Sequence, residues 1–140
     1  MKNKFSTRWK SSKRAGKQRK YSANAPLHLK RKFMSANLSK ELRKKYRKRS
    51  LPVRKGDIVK IMRGKFRKKA GKIITVNGKK MNVEIEGMQI KKQDGSKTNV
   101  KFRPSVLQLT ELNLEDRKRI EVLAGKKNKS ETMGENKNAS

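Results

Sequence analysis

Hydrophobic residues are sparse over the first fifty positions and then recur in short, evenly spaced bursts between Gly, Asn and Asp, so the chain changes rhythm near Arg54. Asp57–Met62 alternates as a strand, with Ile58, Lys60 and Met62 on one face and Val59 and Ile61 on the other. Lys72–Val76 reads as a second strand. Asn77-Gly78 is a hairpin turn, and Met81–Glu86 returns with Met81, Val83 and Ile85 facing one way. Met88–Gln93, the turn Asp94-Gly95 and Lys97–Phe102 form another hairpin, and Val106–Leu109 follows Pro104. Short strands with tight turns in so few residues predict a mainly β fold, a small closed five-stranded barrel. The SH3-like type fits better than the OB type, which uses longer strands.

The first half carries helix signals instead. Pro26 suits an early helical position, and Leu27, His28, Leu29, Phe33 and Met34 interleave with Lys30, Arg31 and Lys32, predicting a short helix over Pro26–Met34 that ends near Ser35-Ala36-Asn37. Ser39 reads as the N-cap of a second helix over Lys40–Arg49, with Glu41 in its first turn and Leu42 and Tyr46 on one face; Pro52 stops it. Near the C-terminus, Asn113 reads as an N-cap and Glu115 and Asp116 as a first turn. Ile120, Leu123 and Ala124 share a face, and Gly125 ends the helix. The resulting division is a basic arm over residues 1–24, a basic helical segment over 25–52, the barrel over 53–110, a C-terminal helix over 111–125 and a disordered tail over 126–140.

Charge sharpens this division. Residues 1–50 hold nineteen Lys and Arg against one acid, residues 51–110 sixteen against four, and residues 111–140 seven against six, so the formal +31 is distributed as +18, +12 and +1. The first segment has too little apolar content to offset the entropy of ordering it, so it is expected to order on a partner. A polyanion is the natural one. The longest apolar run is Val122-Leu123-Ala124, against the roughly 20 residues that span a membrane. Arg8, Lys10, Lys13 and Arg14 stand where a secretory leader needs apolar residues, which predicts a cytosolic chain. Zinc sites that draw on thiolates, and disulfides, are excluded by the absence of cysteine.

Catalytic chemistry finds little to work with. There is one histidine, and the acids are scattered, so no enzyme and no cofactor or metal site is expected. A P-loop fails because Lys69 stands where its second glycine belongs and Ile73 follows Gly71-Lys72. Arg63-Gly64-Lys65-Phe66 is only faintly like the aromatic RNA motif of RRM domains and lacks their βαββαβ context. His28, between two leucines, is read as a structural contact or a phosphate or sugar contact. Phe66 and Phe102 are expected to pack in the barrel core, and Trp9 and Tyr21 to insert against RNA. The basic runs nominate Lys13, Arg14, Lys17, Arg19, Lys20, Arg47 and Arg49 as phosphate contacts.

Two sets of residues carry a resemblance. Lys55-Gly56-Asp57-Ile58-Val59-Lys60-Ile61-Met62-Arg63-Gly64 followed by Gly71-Lys72-Ile73 resembles a KOW motif, a type shared by ribosomal proteins and transcription elongation factors. The flank decides between them. Asn24-Ala25-Pro26, Arg31-Lys32-Phe33-Met34-Ser35-Ala36, Leu38-Ser39-Lys40-Glu41-Leu42-Arg43-Lys44-Lys45-Tyr46 and Arg49-Ser50-Leu51-Pro52-Val53-Arg54 resemble the archaeal and eukaryotic form of universal large-subunit ribosomal protein twenty-four, from about Asn24 to Leu109. The resemblance implies direct binding to large-subunit rRNA near its 5′ end, a part in early subunit assembly, neighbouring ribosomal proteins as partners, and a place by the outer opening of the peptide exit tunnel. On matching positions it implies rRNA contacts at Lys30, Arg31, Lys32, Lys40, Arg43, Lys44, Arg54, Arg63, Lys65, Lys68, Lys69 and Lys72. Reading would be by shape and backbone, since A-form RNA hides its base edges and exposes phosphates and 2′-hydroxyls. A transcription elongation factor would need a further domain for the polymerase. A histone-like compacting protein would bind duplex DNA and rRNA equally.

Overall fold

A computed structural model describes residues 5–9 and 12–124. In chain order the elements are helices α1 (Ala15–Asn24) and α2 (Leu27–Phe33), strand β1 (Ser35–Leu38), helix α3 (Lys40–Tyr46), strands β2 (Ser50–Pro52), β3 (Ile58–Ile61), β4 (Ala70–Asn77), β5 (Asn82–Lys91) and β6 (Lys97–Phe102), a 3-10 turn at Pro104–Val106, strand β7 (Leu107–Glu111) and helix α4 (Arg117–Ala124).

The strands form one seven-stranded sheet in the order β2-β1-β7-β3-β4-β5-β6. Every neighbouring pair is antiparallel except β1 with β7, where Asn37 and Leu38 run parallel to Gln108 and Leu109. This corrects the expected closed five-stranded barrel: the sheet is open, with β2 and β6 as its outer strands. Two of its strands come from the segment that the sequence marks as purely helical. β1 buries Ala36 and Leu38 and turns Asn37 outward, a strand alternation too short and too polar to stand out beside the helix before it. The two strands expected at Met81–Glu86 and Met88–Gln93 are one, β5. Its register against β6 shifts between Glu84 and Gln89, around Gly87 at φ +72°, so a bulge stands between the two expected strands.

The core follows the alternation. Leu38, Val59, Ile61, Ile73, Val83, Ile85, Leu107 and Leu109 are fully buried, and Met34, Ala36, Leu51, Val53, Met88, Phe102 and Leu123 complete the cluster. At about 25 cal/mol per Å2 of apolar surface, each such side chain contributes on the order of 1.5–3 kcal/mol. Gly71 permits a close approach of β4 to β5: a Cβ there would stand 2.8 Å from Ile85 Cγ2 and 2.9 Å from the Glu86 carbonyl.

Residues 15–24 of the basic arm, which is expected to order on a partner, are the helix α1, which buries no residue. Two other helix boundaries differ from expectation. Ser39 does cap α3, accepting from the Leu42 amide at 3.3 Å, but the helix ends at Tyr46 because Arg47 adopts a left-handed conformation, φ 50°, that feeds the chain into β2. Pro52 lies in that strand and does not stop the helix. Asn113 does not cap α4: its Oδ1 accepts from the Glu115 amide at 2.9 Å in a local turn, while Asp116 Oδ1 accepts from the Lys118 amide at 2.8 Å and starts the helix. Leu123 is buried but Ile120 is exposed, because Arg119 occupies the inward position. Gly125 and the tail expected to be disordered lie outside the described residues.

Candidate nucleic-acid interface

The connection between β3 and β4 is the most sharply built basic feature. The Ile61 amide donates to the Lys69 carbonyl and the Lys68 amide to the Ile61 carbonyl, both at 2.8 Å, pinching the loop at its base. The Arg67 amide donates to the Gly64 carbonyl at 3.0 Å and tightens the tip. Gly64 at φ +88° and Lys68 at φ +73° make the reversal, and a non-glycine residue held left-handed costs on the order of 1 kcal/mol. Phe66 anchors the loop, packing edge-on against Phe102 with ring centroids 5.9 Å apart, and Lys69 Nζ lies 5.5 Å from the Phe66 centroid. Both phenylalanines therefore pack as expected. Arg63, Lys65, Arg67, Lys68 and Lys69 are all exposed around that anchor, and Lys72 is exposed on β4.

The N-terminal basic residues lie on helices and their ends. Lys13 and Arg14 precede α1, and Lys17, Arg19 and Lys20 are exposed on it without an acid in its first turn. A ten-residue helix is marginal alone. Tyr21 holds it, with its ring 4.6 Å from Phe5, 5.3 Å from Trp9 and 6.2 Å from Phe33. The arm thus has a small aromatic cluster of its own, where the sequence suggests aromatics free for RNA; Trp9 stays partly exposed. On α2, His28, Arg31 and Lys32 are exposed, whereas Lys30 Nζ donates to the Ala23 carbonyl at 3.0 Å and closes the α1–α2 junction. Around α3, Lys40, Lys44, Arg47 and Arg49 are exposed. Arg43 is half-buried, donating from Nε to the Leu38 carbonyl at 2.9 Å and from its guanidinium to Asn37. Three of the nominated residues are therefore engaged within the protein itself: Lys30 and Arg43 through these bonds, and Arg54 through an ion pair. Arg54 is exposed and paired with Asp116.

The family of ribosomal proteins that comprises eukaryotic L26 and its archaeal L24 counterpart matches residues 11–126. The chain belongs to this family. It is similar to the large ribosomal subunit protein uL24 of Korarchaeum cryptofilum (strain OPF8), 43% identical over 124 residues that cover 89% of this chain and 95% of that protein. The family match reaches further in both directions than the resemblance carried by the motifs, taking in α1 and α4. The family is one of structural ribosomal proteins. Among the described residues, no group of three His, Cys, Asp or Glu side chains could hold a metal ion, and no helix is long and apolar enough to cross a membrane.

Two features lie outside the nominated residues. Lys60 is exposed on β3 and Arg67 in the loop, and both extend the cationic face; the alternation of β3 already carries the signal for Lys60. The second is a buried ion pair. Arg119 Nη1 and Nη2 donate to Asp57 Oδ1 and Oδ2 at 2.6 and 2.8 Å, with Arg119 3% exposed and Asp57 fully buried. Asp57 also accepts from the Arg54 amide at 2.9 Å and the Asn113 amide at 3.0 Å, and Arg119 donates to the Asn113 carbonyl at 2.9 Å. The aspartate of the KOW motif thus ties α4 to the start of β3. Arg119 sits 62 residues away in sequence, in a run of charges that marks no single member.

Proposed function

We infer that this protein is a structural constituent of the large ribosomal subunit in the cytoplasm. In this reading it binds large-subunit rRNA near the 5′ end, supports early assembly and lies by the outer opening of the exit tunnel with other ribosomal proteins beside it. The observation that carries direct RNA binding is the β3–β4 loop: a pinched, hydrogen-bonded turn whose aromatic packs against Phe102 and whose cations are all exposed. A loop built only for stability would not concentrate five exposed cations around a strained turn. Exposed guanidinium and ammonium groups neutralise converging phosphates, and shape rather than sequence is read. The helices α1 to α3 supply the second cationic surface through Lys17, Arg19, Lys20, Arg31, Lys32, Lys40 and Lys44.

The test is the double variant Lys68→Ala, Lys69→Ala. Loss of the Lys69 contact with Phe66 costs at most about 1 kcal/mol at an exposed site, so the thermal midpoint of the free protein should move little. Affinity for a transcript of the 5′ domain of large-subunit rRNA should fall. Parent-like affinity in the variant would sink the assignment of the loop.

A further inference from the structure

Away from the β3–β4 loop, Phe5, Trp9 and Tyr21 line a cleft of about 310 Å3, at the low end of the roughly 300–1,000 Å3 of sites that hold small organic groups. Its other wall is one face of α1, where Lys17, Lys20 and Asn24 stand three and four residues apart from one another and from Tyr21. Both lysines are exposed, and no carboxylate lines the cleft.

Seating α1 accounts for part of this arrangement. None of the three rings belongs to the core cluster, and Tyr21 reaches both Phe5 and Phe33, which ties down a helix that buries no residue. It does not account for the indole. Trp9 meets the cluster through Tyr21, tilted at 55°, and remains 37% exposed beside the two ammonium groups. A flat uncharged ring suits the aromatic side of such a cleft and an anion suits the ammonium side, and a nucleotide carries both. Duplex RNA cannot deliver one, because its bases are stacked inside the helix and it presents backbone and 2′-hydroxyls. An unpaired nucleotide can, and stacking on an aromatic face tolerates any base.

We propose that this cleft receives an unpaired rRNA nucleotide, its base stacked on the Trp9 indole and its phosphates met by Lys17 and Lys20, without selection among the four bases. The proposal rests on the RNA-binding reading above. It adds a single-strand contact to an interface otherwise read by the shape of RNA helices.

Trp9 is the single tryptophan of the chain, so tryptophan-selective fluorescence of the full-length protein reports on this cleft alone. At about 0.15 M salt, the protein is titrated with a short oligouridylate, with an abasic oligonucleotide of equal length and charge, and with the 5′-domain rRNA transcript. Binding is followed independently by the anisotropy of a label on the nucleic acid. Oligouridylate and transcript should quench Trp9, whereas the abasic strand should bind with its fluorescence unchanged. Trp9→Ala should weaken oligouridylate binding about 5- to 150-fold, the range of one base–aromatic stack, and leave abasic affinity near the parent value. Trp9→Phe, which keeps a ring, should recover most of the loss. Equal quenching by the abasic strand, or equal losses for both strands in Trp9→Ala, overturns the proposal, since charge or the seating of α1 would then explain the binding without stacking. So does tight transcript binding with Trp9 fluorescence unmoved, which would leave the cleft to a protein neighbour. No binding of the transcript at all would instead defeat the RNA-binding reading, and this inference with it.

Discussion

Removing either half of the Asp57–Arg119 pair should be the most damaging single substitution among the charged residues. Arg119→Met keeps most of the apolar stem but strips two of the four donors from a carboxylate with no access to water. Asp57→Ala leaves the guanidinium buried with only the Asn113 carbonyl at 2.9 Å and the Pro52 carbonyl at 3.4 Å. Uncompensated buried charges of this kind cost about 3–5 kcal/mol, a large fraction of the roughly 5–15 kcal/mol that holds a domain folded. The charge of Arg119 has one escape, because α4 is a short helix at the end of the fold that can lift away. The cost of Asp57→Ala is therefore capped by the cost of undocking α4. Urea unfolding of the free protein by circular dichroism, with the slope held constant, measures both losses. Hydrogen exchange then separates the routes: Asp57→Ala should release the α4 amides well before those of β3 and β7. In the double variant the losses should fall short of their sum by about 1–3 kcal/mol, since each residue's penalty needs the other's charge. Single variants costing under about 1 kcal/mol, or strictly additive losses, would refute the account.

Gly71→Val should destabilise the fold by about 1–3 kcal/mol or more, because its Cβ collides with the backbone of β5, while affinity of the folded fraction for rRNA stays near the parent value; a neutral melting curve would deny the close approach. rRNA affinity should drop steeply with salt, on the order of 10³ to 10⁵ between about 50 and 200 mM if roughly 6–10 phosphates are neutralised, and a flat response would mean that stacking or apolar contacts dominate. In the β5–β6 turn, the Ser96 hydroxyl and amide hold the Asp94 carboxyl below its usual 3.8. Their hold on the turn is complete above that value and is lost as pH falls through the lowered one, so NMR titration should give a midpoint under 3.8 that rises in Ser96→Ala.

Much of this protein is legible in its sequence because period-2 alternation is a local signal. Val59 and Ile61, Val83 and Ile85, and Leu107 and Leu109 are buried where alternation or strand position puts them, and Ser39 caps the helix that its spacing predicts. What escapes depends on partners distant in sequence. β1 is a strand only because β2 and β7 lie on either side of it, and in isolation Ser35–Leu38 is a helix end followed by an N-cap. Arg119 looks like its neighbours Arg117 and Lys118 until Asp57 is placed opposite it. At the interface, the sequence identifies the cations but not their prior engagements: Lys30 and Arg43 spend donors on backbone carbonyls that only the folded junctions create.

The position of β7 has a consequence for the order of events during synthesis. It lies between β1 and β3, and it is the last strand made. The pairing of Asn37 with Gln108 spans 108 − 37 = 71 residues, and nothing else in the sheet joins β1 to β3. A growing chain that has not yet released residue 109 can form the β3–β4–β5–β6 ladders but must leave the facing edges of β1 and β3 unpaired. Closure of the two halves is thus a single late step that waits for β7. A chain stopped before Leu107 would be two fragments of sheet on one highly charged string, with its basic helices already made.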